Sequence, residues 1–208
     1  MIAIIDYGMG NLRSVSKAAE RCGARVKVVN SPEKIDGADG LILPGVGAFG
    51  AGMRNLQKRG FIKEIKKHVR NSMPLLGICL GYQLLFDRST EQGIHNGLGI
   101  IPGEVVKFKS ASGIRIPHMG WNSLRTTGRS ILYKNIPDGS YMYFVHSYYC
   151  RPAEKSIVTA WTKYDVNFAA SIEKKYIFGT QFHPEKSGST GLKVLKNFVE
   201  YTKNRRLK

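Results

Sequence analysis

An open, mostly parallel α/β sheet with helices on both faces and an additional antiparallel layer is the fold class that this 208-residue sequence predicts. Three observations point to it. Apolar runs alternate with stretches of helical periodicity in the first half; from about residue 98 to 182 the runs shorten and turn-rich pieces separate them; and the chain closes on an amphipathic helix. With 42% apolar residues there is enough material to bury one sizeable core, so residues 1–208 are expected to form a single domain, without repeats, low-complexity segments or linkers.

The elements follow in order. "IAII" (2–5) reads as a strand, the stretch from about Asn11 to Cys22 as a helix, and "RVKVV" (25–29) as a second strand. Then come a strand entering "GLILPGVG" (40–47), helices across 49–57 and 60–71, the strand "PLLGI" (74–78) and a helix from Leu80 to about Asp87. Strands that are apolar nearly throughout and separated by helices belong to a parallel sheet covered on both faces. The runs "EVVKF", "YMYFVHSYY", "SIVTAW", "FAASIE" and "YIFGTQF" read as the antiparallel layer. The last helix, about Thr190 to Lys203, places Leu192, Leu195, Phe198 and Val199 on one face.

A net charge of +17 favours encounter with acidic partners. The basic residues are spread, however, and the local clusters "KEIKKHVR" (63–70), "EKK" (173–175) and "KNRRLK" (203–208) read as a solvated helix face, a turn and a helix end. No interleaving of aromatic and basic residues and no zinc-ligand spacing accompanies them, so no nucleic-acid site is expected. The three cysteines, Cys22, Cys79 and Cys150, are too irregularly spaced for a disulfide framework or a metal site and read as thiols. The N-terminal "MIAIIDYG" enters a strand without a charged region or cleavage-like site, and no run is long enough to span a membrane; a cytoplasmic location is expected.

Chemistry concentrates in "GICLG" (77–81), where glycines stand two residues either side of Cys79 at a strand-to-helix turn. This is the spacing of a nucleophile elbow: the sharp turn strains the nucleophile's backbone, and side chains at the flanking positions would collide with neighbouring strands. The start of the following helix favours a thiolate and supplies N–H groups for an oxyanion, that of Leu80 first. A structural cysteine at a strand end is the plainer alternative.

A thiolate nucleophile needs an imidazole and something to orient it. "GTQFHPEKSG" (179–188) offers His183 after an apolar strand, with Glu185 two residues on, where an extended segment points both side chains the same way. His68 and His95 read as hydrogen-bonded surface residues. "LPGVG" (43–47) is a glycine-rich loop at the C-terminal end of a strand, where ligands of open parallel sheets collect; the amide of Val46 or Gly47 would complete the oxyanion hole.

With "GICLGYQLLF", "LPGVG" and "QFHPEKSG" together, the sequence resembles the class I (triad) glutamine amidotransferases, whose fold is flavodoxin-like. "DYGMGNLRS" (6–14), "PHMGWN" (117–122) and "YFVHSYY" (143–149) resemble more narrowly the glutaminase subunits of imidazole glycerol phosphate synthases. The resemblance implies that Cys79, His183 and Glu185 form a triad that hydrolyses glutamine to glutamate and ammonia, with no cofactor and no metal. It implies that Gln83 and Glu91 hold the amino-acid end of glutamine, assisted by backbone near His146, Ser147 and Tyr148; Gln83 lies at i+4 from Cys79, on the same helix face. It implies a heterodimer with a (β/α)₈-barrel cyclase that receives the ammonia through a tunnel, and a "PGVG" segment remodelled when the partner and its ligand bind. Pro117, Met119 and Trp121, with Tyr143 nearby, are the candidates for the partner face, since apolar residues with few charges suit an interface core. The same glutaminase chemistry serving a sugar amidotransferase remains open at this point.

Overall fold

The structure, a computed structural model, describes residues 1–109 and 113–206, the last without its side chain. Strand β1 (Ile2–Ile5) leads through α1 (Leu12–Arg21) to β2 (Val26–Val29) and β3 (Gly40–Leu43). Helices α2 (Phe49–Lys58) and α3 (Phe61–Arg70) precede β4 (Leu75–Ile78), and one residue later begins the single-turn α4 (Leu80–Gln83). There follow β5 (Phe86–Ser89), β6 (His95–Asn96), β7 (Ile101–Lys107), β8 (His118–Ser123) and β9 (Arg125–Thr126). Strands β10 (Tyr141–His146), β11 (Tyr148–Pro152), β12 (Val158–Tyr164), β13 (Val166–Lys174) and β14 (Ile177–Thr180) lead to the closing α5 (Gly188–Arg206).

The main sheet has the order β2-β1-β3-β4-β14-β13-β12-β9, its first five strands parallel and the rest antiparallel. Strand alternation divides the core between its faces. Ala3, Ile5, Leu41 and Leu43 pack with Leu56, Phe61 and Ile65 of α2 and α3; Ile2, Ile4, Ile42 and Leu76 pack with Val15 and Ala19 of α1 and Leu195, Phe198 and Val199 of α5. The helices thus lie on both faces, as the continuous apolar strands require.

The antiparallel part departs from a single added layer. It is divided among an extension of the main sheet (β13, β12, β9), a pair β10-β8 and a four-stranded sheet β11-β7-β5-β6 in which β5 and β7 run parallel. The run "YMYFVHSYY" breaks at Ser147, its first half pairing with β8 and its second with β7. "YIFGTQF" contributes β14, which pairs parallel with β4 and so belongs to the parallel set.

The elbow helix is also shorter than expected, ending at Gln83 rather than near Asp87. The carbonyls of Leu84 and Leu85 accept from the N–H groups of Leu98, Ile100 and Ile101, so the backbone is committed to β5 instead of a further helical turn. His68 is buried, with Nε2 3.0 Å from the Pro74 carbonyl, and is not a surface residue; burial lowers its pKa. Helix α5 runs into the basic "KNRRLK" segment, whose last two residues lie outside the described ones.

Candidate active site

Cys79 sits between β4 and α4 with φ 53° and ψ −109°, the strained left-handed backbone that a nucleophile elbow imposes. The flanking glycines are sterically required. A Cβ on Gly81 would overlap the Leu43 carbonyl of the neighbouring strand, and one on Gly77 would lie 2.7 Å from Tyr82 Cα within the elbow itself. Cys79 N–H donates to the Thr180 carbonyl (2.8 Å), extending the β4–β14 pairing by one residue. That pairing brings the ends of two parallel strands together, so the segment after β14 faces the nucleophile.

His183 and Glu185 stand on that segment. Nδ1 of His183 is 2.8 Å from Oε1 of Glu185, and the two side chains are 2% and 1% exposed. The geometry differs from an extended i, i+2 pair: His183 precedes a 3₁₀ turn over Pro184–Lys186, and the turn folds the carboxylate back onto the ring. Burial lowers the His183 pKa, but the nearby Cys79 sulfur, the Glu185 hydrogen bond and the charges of both outweigh it and push it up to about 10. Its backbone is tied from both sides, N–H donating to the Tyr143 carbonyl (2.9 Å) and the carbonyl accepting from Ser187 Oγ (2.6 Å).

A cavity of about 250 Å³ opens over Cys79 and is lined by both Cys79 and His183. Leu80, Val46, Gly47, Gln83, Glu91, His146, Ser147 and Tyr148 line it as well. The structure therefore gathers the expected oxyanion and glutamine-contacting residues around one space, with Glu185 behind His183. Glu91 is fixed by accepting the Phe49 N–H (2.6 Å) at the start of α2, a helix with no acidic residue in its own first turn. Gln83 donates both amide hydrogens, to the Tyr148 carbonyl (2.9 Å) and to Gln181 Oε1 (3.1 Å), which leaves its own oxygen as an acceptor.

One expected donor is occupied. Leu80 N–H donates to the Gly45 carbonyl at 3.3 Å. The loop is held close at that point: a Cβ on Gly45 would meet the Tyr7 hydroxyl and lie 2.8 Å from Leu80 Cβ. Gly47 has φ 100°, a conformation suited to glycine.

The four partner-face candidates separate. Met119 and Trp121 are 65% and 55% exposed on β8, and Tyr143, half-buried, lies opposite Trp121 on β10 with ring centroids 6.2 Å apart. Pro117 lines the cavity one residue before β8, so it belongs to the site's wall and leads into the strand that carries the exposed pair.

Sequence reasoning missed three residues. Gln181 is fully buried with Nε2 3.9 Å from Cys79 Sγ, a position that the β4–β14 register alone would have indicated. Tyr7 is buried against the "PGVG" loop, and burial first, then the charge of Cys79, raises its pKa. His118 is buried beside His146, Nδ1 to Nε2 3.0 Å. Among the described residues no group of three His, Cys, Asp or Glu is placed to hold a metal ion, and no helix is long and apolar enough to cross a membrane.

The family described as glutamine amidotransferase class-I matches residues 3–201. A relative from Moorella thermoacetica, imidazole glycerol phosphate synthase subunit HisH, is 52% identical over 203 residues, covering 98% of this chain and 96% of that protein. The protein of the same name from Geobacter metallireducens is 46% identical, covering 95% and 97%. Among solved structures, PurLQS from Thermotoga maritima aligns with TM-score 0.74 at 21% identity over 96% of this chain and 97% of that one. The glutaminase domain of CTPS from Trypanosoma brucei, with bound acivicin, aligns with TM-score 0.70 at 16% identity over 98% and 93%; at these identities the likeness is one of fold.

Proposed function

The chain belongs to the class-I glutamine amidotransferase family, and we propose that it works as the glutaminase subunit of an imidazole glycerol phosphate synthase, releasing ammonia from glutamine for a partner cyclase subunit in histidine biosynthesis. One observation carries the chemistry: Cys79 stands on a positive-φ elbow at the floor of a cavity whose wall is His183, hydrogen-bonded at 2.8 Å to a buried Glu185. Relatives that share about half their residues with nearly the whole chain support the pathway over a sugar amidotransferase.

In this reading the amino-acid end of glutamine lies against Gln83 and Glu91. The Gln83 oxygen and the Glu91 carboxylate are acceptors and suit the α-ammonium, while backbone N–H groups at 146–148 face the carboxylate. The carboxamide reaches Cys79. The sulfur adds to the carboxamide carbon, and the resulting oxyanion is received by Leu80 N–H, once Gly45 withdraws its carbonyl, and by the amide of Val46 or Gly47. The His183 imidazolium protonates the nitrogen, the C–N bond breaks, and ammonia leaves a thioester.

The raised pKa of His183 fits this step, because an acid that is protonated at neutral pH is what the leaving nitrogen needs. Thioester formation then removes the Cys79 charge, one of the two groups that hold the proton on His183. The imidazole becomes the base that takes a proton from water, and hydroxide attack on the thioester returns glutamate and the thiolate. Glu185 keeps the ring oriented throughout.

We place the cyclase, a (β/α)₈ barrel, over the exposed Met119 and Trp121 beside the cavity, and assign the chain a single domain and a cytoplasmic location. Glutamate release assayed with and without the cyclase, for the chain and for Cys79→Ala, tests the whole reading.

A further inference from the structure

His146, which lines the cavity, and His118 beside it connect strand β8 to the glutamine-facing backbone. His146 Nδ1 lies 2.8 Å from the Tyr148 carbonyl, His118 Nδ1 lies 3.0 Å from His146 Nε2, and Asn122 Nδ2 lies 3.3 Å from His118 Nε2. Both ends of this chain have a fixed sense. A carbonyl only accepts, so His146 Nδ1 carries a hydrogen. At the far end, Asn122 Oδ1 accepts the Ser123 N–H (2.8 Å) and Nδ2 also donates to the Lys163 carbonyl (3.0 Å), so the amide presents a donor to His118 Nε2. His118 Nε2 is then an acceptor and its Nδ1 carries the hydrogen, which makes His146 Nε2 an acceptor in turn. Both rings are neutral Nδ1–H tautomers, and every bond points from Asn122 toward Tyr148.

The line continues into the site. The second lone pair of the Tyr148 carbonyl accepts from Gln83 Nε2 (2.9 Å), whose other hydrogen goes to Gln181 Oε1 (3.1 Å), and Gln181 Nε2 is 3.9 Å from Cys79 Sγ. The relay thus shares the carbonyl that, with Gln181, commits both Gln83 hydrogens and leaves the Gln83 oxygen available. His118 is clamped between Tyr164 and Phe144, with ring centroids at 4.0 and 4.9 Å, and burial pushes its pKa down to about 4 and that of His146 down to about 3, in agreement with two neutral rings.

We propose that His118 and His146 form a one-way hydrogen-bond relay that holds the Tyr148 carbonyl, and through it the Gln83 amide, in the orientation that receives the amino-acid end of glutamine. His118 is a positioning residue: it touches neither the substrate nor the reacting atoms. The inference rests on the reading that this cavity binds glutamine.

Two variants separate hydrogen bonding from packing. His118→Phe keeps the ring between Tyr164 and Phe144 and loses the donor; His118→Asn loses the ring but places its amide nitrogen where Nδ1 stood. In full-length chains carrying Cys79→Ala, so that glutamine binds without turnover, calorimetry should show His118→Phe weakening glutamine by about tenfold or more, with His118→Asn recovering most of that loss. Equal affinity in the Phe variant, or a larger loss in the Asn variant, overturns the relay. In the unaltered chain, two-bond ¹H–¹⁵N couplings should identify both rings as neutral Nδ1–H tautomers; either ring in another state overturns it even if a variant does not fold. Failure of the Cys79→Ala chain to bind glutamine, with no glutamate release by the unaltered chain and cyclase, would instead overturn the functional reading.

Discussion

Leu80 N–H, the first helical amide after the nucleophile, is hydrogen-bonded to the Gly45 carbonyl at 3.3 Å. The proposed oxyanion donor is thus engaged until that carbonyl turns away. Addition of the cyclase and its ligand should therefore raise kcat by about a hundredfold or more, the scale of an oxyanion-hole donor, with much less change in KM. Steady-state kinetics decide; stimulation confined to KM would mean that the Gly45–Leu80 bond does not limit turnover.

Gly45→Ala tests a separate requirement, that the loop stay close enough to the elbow for the Val46 or Gly47 amide to reach the oxyanion. A Cβ there meets the Tyr7 hydroxyl and Gly81 N (2.9 Å), so the loop must shift away from the elbow. We expect glutamine-dependent turnover to fall by about tenfold or more, with ammonia-dependent synthesis by the complex unchanged. Normal glutamine-dependent turnover would show that the loop tolerates displacement.

Glu185→Gln should move the alkaline limb of the kcat/KM profile to lower pH. His183 is raised from 6.5 to about 10 against its burial by Cys79 and Glu185, so removing one of them lets the imidazolium deprotonate earlier as pH rises. A shift of about one unit or more is expected, together with reduced turnover. An unmoved limb would remove Glu185 from its role beside His183.

The neutral histidines predict acid lability. Burial holds His118 near about 4 and His146 near about 3, whereas in the unfolded chain both titrate close to 6.5. Above that value neither state is protonated and stability is complete; as pH falls from 6.5 toward about 4 the unfolded chain binds protons that the folded chain refuses. Each ring then costs up to about 1.4 kcal/mol per pH unit. Urea unfolding across this window should show a pH slope about one proton smaller in His118→Phe than in the parent. An identical slope would mean that His118 is charged in the folded state.

Trp121, 55% exposed and edge-on to Tyr143, should be an anchor for the cyclase. Trp121→Ala is expected to weaken the complex by about 2 kcal/mol while leaving the urea midpoint of the free chain within experimental scatter. Undiminished affinity would place the partner elsewhere.

Much of the site was readable because local sterics dictate its residues. Gly77 and Gly81 leave no room for a side chain around a positive-φ Cys79, and such a constraint shows in a pentapeptide. Strands β1, β3 and β4 were readable for a similar reason, since strands buried on both faces are apolar throughout, whereas β14 was read with the antiparallel runs although it pairs parallel with β4. What was not legible depends on partners distant in the chain. "LLF" (84–86) has the same apolar content whether helix or strand, and carbonyls bonded by residues 98–101 decide it. The break at Ser147 and the role of Gln181 follow from sheet registers, and the His118–His146 contact crosses from β8 to the end of β10. Glu185 was identified through a spacing argument whose geometry proved to be a 3₁₀ turn.

The most direct test of the account is glutamate release from glutamine by the purified complex with the cyclase, compared between the parent chain and Cys79→Ala, alongside synthesis from free ammonia. The account predicts that Cys79→Ala abolishes glutamate release and leaves ammonia-dependent synthesis intact. Glutamate release that survives the substitution would contradict it, because the nucleophile would then lie elsewhere.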